Sequence, residues 1–194
     1  MREILDRRPI VVMLAGPNGA GKSTFYASHL LPSRLRFVNA DDLAQVLKVH
    51  AYRAAKVADA VRRELVVRGE SFIFETVFSD PVGDKLAFLK DAEGLGYTVV
   101  LFFIGIDGAQ SSEERVALRV AQGGHDVPAE KIAMRYARTM ENLRRAMSEL
   151  SNVRVYDNSD LADPYREVAV KEEGRDLELI EPIPDWLRPL LPAR

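Results

Sequence analysis

The 194 residues contain no cysteine, which excludes disulfides, cysteine nucleophiles and thiolate metal sites and fits a reducing cytoplasm. Long apolar runs are missing too. Nothing approaches the roughly 18 consecutive apolar residues of a membrane-spanning helix, and the charged opening Met1 to Arg8 leads into no apolar stretch that would make a secretion signal. The expectation is a soluble, unsecreted, cytoplasmic protein with no membrane partner. Neither sign of charge is in surplus: 27 Lys and Arg stand against 29 Asp and Glu, so the chain lacks the excess of positive charge that holds a nucleic acid by its backbone. A small anionic ligand fits better. Repeats, low-complexity tracts and linker-like segments are also absent, and 47% hydrophobic residues suffice for one core, so one domain over residues 1–194 is expected.

Against these absences stands one strong motif. The apolar run Ile10 to Leu14 reads as a buried parallel strand, and after it come Gly16, four residues, and then Gly21, Lys22 and Ser23, the spacing of a phosphate-binding loop. Backbone N–H groups must curl around a polyphosphate, which calls for glycines where side chains would block the approach or φ must be positive. Gly16, Gly19 and Gly21 supply that freedom, and Pro17, Asn18, Ala20 and Thr24 complete the cradle. A helix starting near Lys22 aims its positive end at the anion, Lys22 adds a point charge for the β and γ phosphates, and the Ser23 hydroxyl suits Mg²⁺. ATP and Mg²⁺ are the expected ligands.

Strands and helices then alternate. A helix over Ser23 to Leu31 is stopped by Pro32, and the short apolar run Leu35 to Val38 delivers Asp41 and Asp42 to the carboxyl end of a second strand, the edge where open α/β sheets hold ligands. Leu43 to Arg68 reads as helix with a break near His50, and Gly69 as its cap. Ser71 to Phe74 is a third strand bringing Glu75 and Thr76 to the same edge. A further helix is bounded by Asp80 as N-cap, Pro81 and Gly94, and Tyr97 to Ile104 is the fourth strand. Ser111 and Glu114 have capping-box spacing for a helix to about Gln122. Gly123 and Gly124 form a hinge, and a long helix with an apolar stripe follows Pro128. Asn152 to Tyr156 is the fifth strand. Val168, Val170, Leu177 and Leu179 alternate about Gly174 as a hairpin, and the tail around Trp186 packs as a strap. The fold class is α/β: a three-layer phosphate-loop NTPase fold with a mostly parallel five-stranded sheet, a helical lid over about 111–150, and a C-terminal hairpin and tail over about 165–194.

Such a loop serves kinases, switch GTPases and mechanical ATPases. The guanine-reading pattern Asn-Lys-x-Asp is missing, and no apolar run ends in the Asp-Glu pair of an ATPase; Phe72-Ile73-Phe74-Glu75 comes nearest. The loop is worded like that of a transporter-type ATPase, yet the Leu-Ser-Gly-Gly-Gln signature is absent. A small-molecule kinase needs a general base beside the acceptor hydroxyl and positive charge around the transferred group. Asp41 is the candidate base, with helix N-cap as its bland alternative, and Glu75 and Thr76 are candidates for the substrate pocket. Arg119, Arg115 and Arg135 are candidate transition-state cations, and Arg138 and His125 candidate substrate contacts, with ion pairing to nearby glutamates as the competing account for the arginines. An ATP-binding switch module with little transfer activity remains the alternative.

With the loop, Asn39-Ala40-Asp41, Glu75-Thr76 and the run Arg115-Val116-x-x-Arg119-Val120-x-x-Gly123-Gly124-His125-x-Val127-Pro128 in view, the chain resembles the zeta toxin family, in its Gly-Gly-His branch, over roughly residues 10 to 157. The resemblance implies a phosphate-loop kinase that transfers the γ-phosphate of ATP to the 3′-hydroxyl of the sugar in UDP-N-acetylglucosamine. It gives Lys22 and Ser23 the phosphate and Mg²⁺ contacts, Asp41 the role of base and Glu75 a place in the substrate pocket. A loose alignment sets His125 near the family's second transition-state arginine and leaves Arg115 or Arg119 for the first. The resemblance also implies a small antitoxin protein as partner.

Overall fold

Strand β1, Ile10–Ala15, is buried along its whole length because its alternate side chains serve two different cores. Val11, Met13 and Ala15 join one apolar cluster, and Ile10, Val12 and Leu14 join the other. Such two-faced burial is expected of a parallel strand covered by helices on both sides. The computed structural model describes residues 2–121 and 127–191. Strands β2 (Arg36–Val38), β3 (Phe72–Thr76), β4 (Thr98–Gly105) and β5 (Val153–Asp157) run parallel to β1, in the spatial order β2-β3-β1-β4-β5. The hairpin of β6 (Arg166–Lys171) and β7 (Glu178–Leu179) adds antiparallel to β5, so the five expected strands become a sheet of seven.

One face of the sheet is covered by α1 (Arg2–Leu5) and by the chain that follows the loop. The other is covered by α4 (Ala51–Val67), α5 (Asp84–Gly94) and α7 (Ala129–Glu149). Helices α3 (Ala40–Leu47) and α4 are separate, and His50 caps the second. Among the described residues no helix is long and apolar enough to cross a membrane.

Three boundaries differ from the sequence reading. The helix after the loop is α2 (Lys22–Phe25), which widens into a π-helical turn over Tyr26–Leu30 and closes as a 3₁₀ turn over Leu31–Ser33; Ser28 donates to Thr24 O at 2.8 Å within it. Helix α5 starts at Asp84 with Gly83, not Asp80, as N-cap. Asn142 Nδ2 holds Phe78 O and Asp80 O at 2.9 and 3.0 Å, which keeps that segment out of the helix. Helix α6 runs Gly108–Ala121, so Ser111 and Glu114 lie inside it rather than in a capping box.

The tail does pack as a strap. Trp186 is 8% exposed, its Nε1 donates to Asp157 Oδ1 at 2.9 Å, and its ring lies where a Cβ on Gly105 would overlap it at 2.2 Å. Trp186→Ala is expected to destabilise the fold by about 3–5 kcal/mol, from lost burial and the cavity left behind. Chemical denaturation would read this as a lowered midpoint, and an unchanged midpoint would remove the strap from the core.

Candidate active site

The carboxyl ends of β1, β2 and β3 gather the site. At the end of β1 the chain turns through Gly16 with φ 145°, and a Cβ there would stand 2.1 Å from Ile104 O. Only glycine lets the loop pass this close to β4. Gly21, with φ 90°, is the N-cap of α2, and a Cβ on it would meet Asn158 Nδ2 and Tyr165 OH at 2.7 and 2.8 Å. Those two side chains support the loop from outside: Asn158 donates to Ala20 O at 2.9 Å and Tyr165 to Gly21 O at 3.0 Å. Ser112 of α6, fully buried, donates to Asn18 O.

Lys22 is 7% exposed, and its ammonium donates to Gly16 O and Pro17 O, both at 3.0 Å. Burial lowers its pKa, Glu75 and Asp41 oppose that shift, and Arg119 adds to it. Arg119, exposed near the end of α6, lies close enough for its charge to act on the Lys22 ammonium. Glu75 moves the other way. Burial raises its pKa, while Lys22 and the Ser23 hydroxyl, 3.4 Å from Oε2, counter the rise. A carboxylate held in surroundings that disfavour its charge, beside a hydroxyl and a buried ammonium, is a donor set suited to a divalent cation and a polyphosphate. The loop, whose glycines leave space a Cβ would fill, fits a nucleotide in the same way.

Asp41 sits in the first turn of α3, and Asn39 rather than either aspartate is the N-cap, accepting from Asp41 N at 2.7 Å. The Asp41 carboxylate therefore has no capping duty. Asn39 also reaches Glu75 Oε2 at 3.5 Å through Nδ2, so one side chain contacts both the start of α3 and the Glu75 carboxylate. In the sequence this asparagine stands out only as part of a motif. Its place just before an acidic first turn is the signal that marks it as a cap.

Asp41 and Glu75 border a cavity of about 290 Å³, whose walls include Arg62, Lys85 and Arg135. A second depression of about 490 Å³ lies beyond Asp41, against Gln45, Lys48 and His50. Thr76 lines the first cavity, with its hydroxyl oxygen accepting from Phe78 N at 3.0 Å. The other expected arginines are placed differently. Arg115 donates to Ser159 O at 3.0 Å, beside the loop at Gly19, and Arg138 is exposed on α7 and lines neither depression. His125, Gly123 and Gly124 lie outside the described residues. Much of both flanking helices is built into the body: Ser112 and Val116 are buried, Thr139 donates to Val77 O at 2.8 Å, and Leu143, Ala146 and Met147 belong to the core. A lid spanning all of 111–150 would have to break these contacts.

Residues 30–168 match the zeta toxin family. The chain belongs to the zeta toxin family. The match begins just after the phosphate loop and takes in Asp41, Glu75 and the α6 arginines. No curated protein matches the chain. Among solved structures, a chain of the AvrRxo1-ORF1:-ORF2 crystal structure with ATP superposes with a TM-score of 0.70 at 17% identity, covering 91% of this chain and 63% of that one. The PezAT chromosomal toxin–antitoxin system of Streptococcus pneumoniae gives 0.57 at 18% identity, covering 77% and 69%. A putative kinase from Chloroflexus aurantiacus gives 0.51 at 18% identity, covering 68% and 79%. The protein thus spans under two thirds of the AvrRxo1 chain, and at these identities the likeness shows the fold, a zeta-toxin-type phosphate-loop kinase fold.

Proposed function

We propose that the protein is an ATP-dependent kinase that transfers the γ-phosphate to a hydroxyl of a small acceptor, a sugar nucleotide of the UDP-N-acetylglucosamine kind. The observation that carries the reading is that Asp41 and Glu75 border one cavity large enough for a sugar, with the buried Lys22 close enough for its charge to act on Glu75. In this reading the acceptor hydroxyl lies in the cavity and Asp41 takes its proton as the oxygen attacks the γ-phosphorus. The new O–P bond forms as the bond to the bridging β–γ oxygen breaks, and ADP leaves. Lys22 exchanges its two carbonyl partners for phosphate oxygens, and Arg119 offsets the charge that builds on the transferring group. Ser23 and Glu75 would hold Mg²⁺, which supplies further neutralisation when bound. The two depressions meeting at Asp41 and Ala51 offer space for a sugar on one side and a nucleotide on the other. Membership of the zeta toxin family supports this acceptor, and the toxin–antitoxin origin of the PezAT structure supports a small protein partner.

The test incubates the protein with Mg²⁺-ATP and UDP-N-acetylglucosamine and seeks, by mass spectrometry, a product heavier by one phosphoryl group. It is expected with wild type and lost with Asp41→Asn. Phosphorylation of a different sugar or nucleotide instead would overturn the acceptor. ATP binding without acceptor-dependent ADP release would replace the kinase by a nucleotide-operated switch.

A further inference from the structure

Helix α4 buries Ala54, Ala58, Arg62 and Leu65, positions 4, 4 and 3 residues apart that form one stripe. A guanidinium therefore stands where the pattern asks for an apolar side chain. Arg62 is 6% exposed, lies 4.7 Å over the Phe74 ring and lines the cavity beside Asp41 and Glu75. The aromatic stack and the buried stem account for its packing. They leave most of its hydrogen-bonding capacity unused.

A guanidinium has five N–H donors in a fixed fork, and among the described residues Asp59 is its one hydrogen-bond acceptor. That carboxylate is 56% exposed while the Arg62 side chain is 7% exposed, so the counterion sits in water and the cation does not. Burial lowers the Arg62 pKa to about 10, Arg63 adds to the drop and Asp80 opposes it, which leaves the group cationic at neutral pH. A buried cation with unmet donors is costly unless a partner completes it. The neighbours extend the pattern. Lys85 lines the same cavity, 3.5 Å from Asp80, and Arg135 lines it with no ion-pair partner among the described residues. Lys85 already has Asp80 as its partner, so once Asp41 and Glu75 are assigned to the hydroxyl and the phosphates, Arg62 and Arg135 stand around the remaining space with Asp59 as the carboxylate beside them.

We propose that Arg62, aided by Arg135, binds an oxyanion group carried by the acceptor, a phosphate or a carboxylate, in the cavity where Asp41 meets the acceptor hydroxyl. This rests on the kinase reading above and adds to it the side chains that recognise the acceptor's anionic group. The fork of Arg62 matches the paired oxygens of either group. At about 290 Å³ the cavity holds a body of monosaccharide size with its anionic substituent.

The experiment measures binding, so it does not depend on turnover. The full chain is saturated with Mg²⁺ and a non-hydrolysable ATP analogue to fill the loop. It is then titrated with N-acetylglucosamine, N-acetylglucosamine 1-phosphate and glucuronate. An anionic probe is expected to bind wild type about 10-fold or more tighter than the neutral sugar, and which of the two does so distinguishes phosphate from carboxylate. Arg62→Met is expected to erase that margin. Arg62→Lys, which keeps the charge and loses the fork, is expected to retain a reduced one, and it carries the test should the Met variant melt early. Equal binding of neutral and anionic probes to wild type, or a full margin in either variant, overturns the site. If the margin depends on Arg62 but no phosphoryl group moves in the transfer assay, the anion site stands and the kinase reading falls. If phosphoryl transfer proceeds and the margin does not depend on Arg62, the kinase reading stands and the anion site falls.

Discussion

Lys22→Ala is expected to weaken ATP binding by about 10²-fold or more, since two charge-assisted hydrogen bonds to phosphate are each worth roughly 1.5–3 kcal/mol. The ligand-free geometry explains why the loss should be specific. The Lys22 ammonium is buried and already bonded to Gly16 O and Pro17 O, so alanine removes two loop hydrogen bonds but also a desolvated charge. These effects oppose one another in stability, and the fold is expected to survive the change. Titration calorimetry with Mg²⁺-ATP, beside a thermal melt of the free protein, separates the two. Equal ATP affinity in wild type and variant would remove the nucleotide from this loop.

Asp41→Asn is expected to leave ATP binding nearly intact and to slow phosphoryl transfer by roughly 10²-fold or more, the range for loss of a general base. The side chain keeps its shape. Helix α3 keeps its cap, because Asn39 Oδ1 accepts from the backbone N–H of residue 41, which the variant retains. What changes in the helix is one acidic group in its first turn, worth about 0.3–1 kcal/mol against the dipole. Single-turnover measurements with saturating Mg²⁺-ATP read the chemical step directly. Transfer within a few-fold of wild type would move the base elsewhere, and tight ATP binding beside slow transfer is the expected pattern.

Much of this arrangement was legible in the chain because it is local. The phosphate loop needs glycines at fixed offsets between a buried strand and a helix, and Gly16, Gly21, Lys22 and Ser23 satisfy that within one short stretch. The strand positions followed from apolar runs, and the convergence of Asp41 and Glu75 followed from a general property of parallel sheets, whose carboxyl ends share one edge. Family membership rests on the match over residues 30–168, which begins after that loop. Tertiary structure decided what depends on contacts between distant segments. Asn142 and Thr139 on α7 hold the chain after β3 and so move the start of α5 to Asp84. Ser112, Asn158 and Tyr165 brace the loop from 94, 138 and 144 residues away in the chain. The hairpin joined the sheet because β5 offered an open edge that β6 could pair with. Among the arginines, side-chain type alone could not rank candidates. Burial and partners sent Arg115 to the backbone of Ser159, left Arg138 exposed, and put Arg62 under water-excluding walls beside Asp41 and Glu75. A charge reveals its role through what surrounds it, and in this protein those surroundings come from α4, β3 and α7 together.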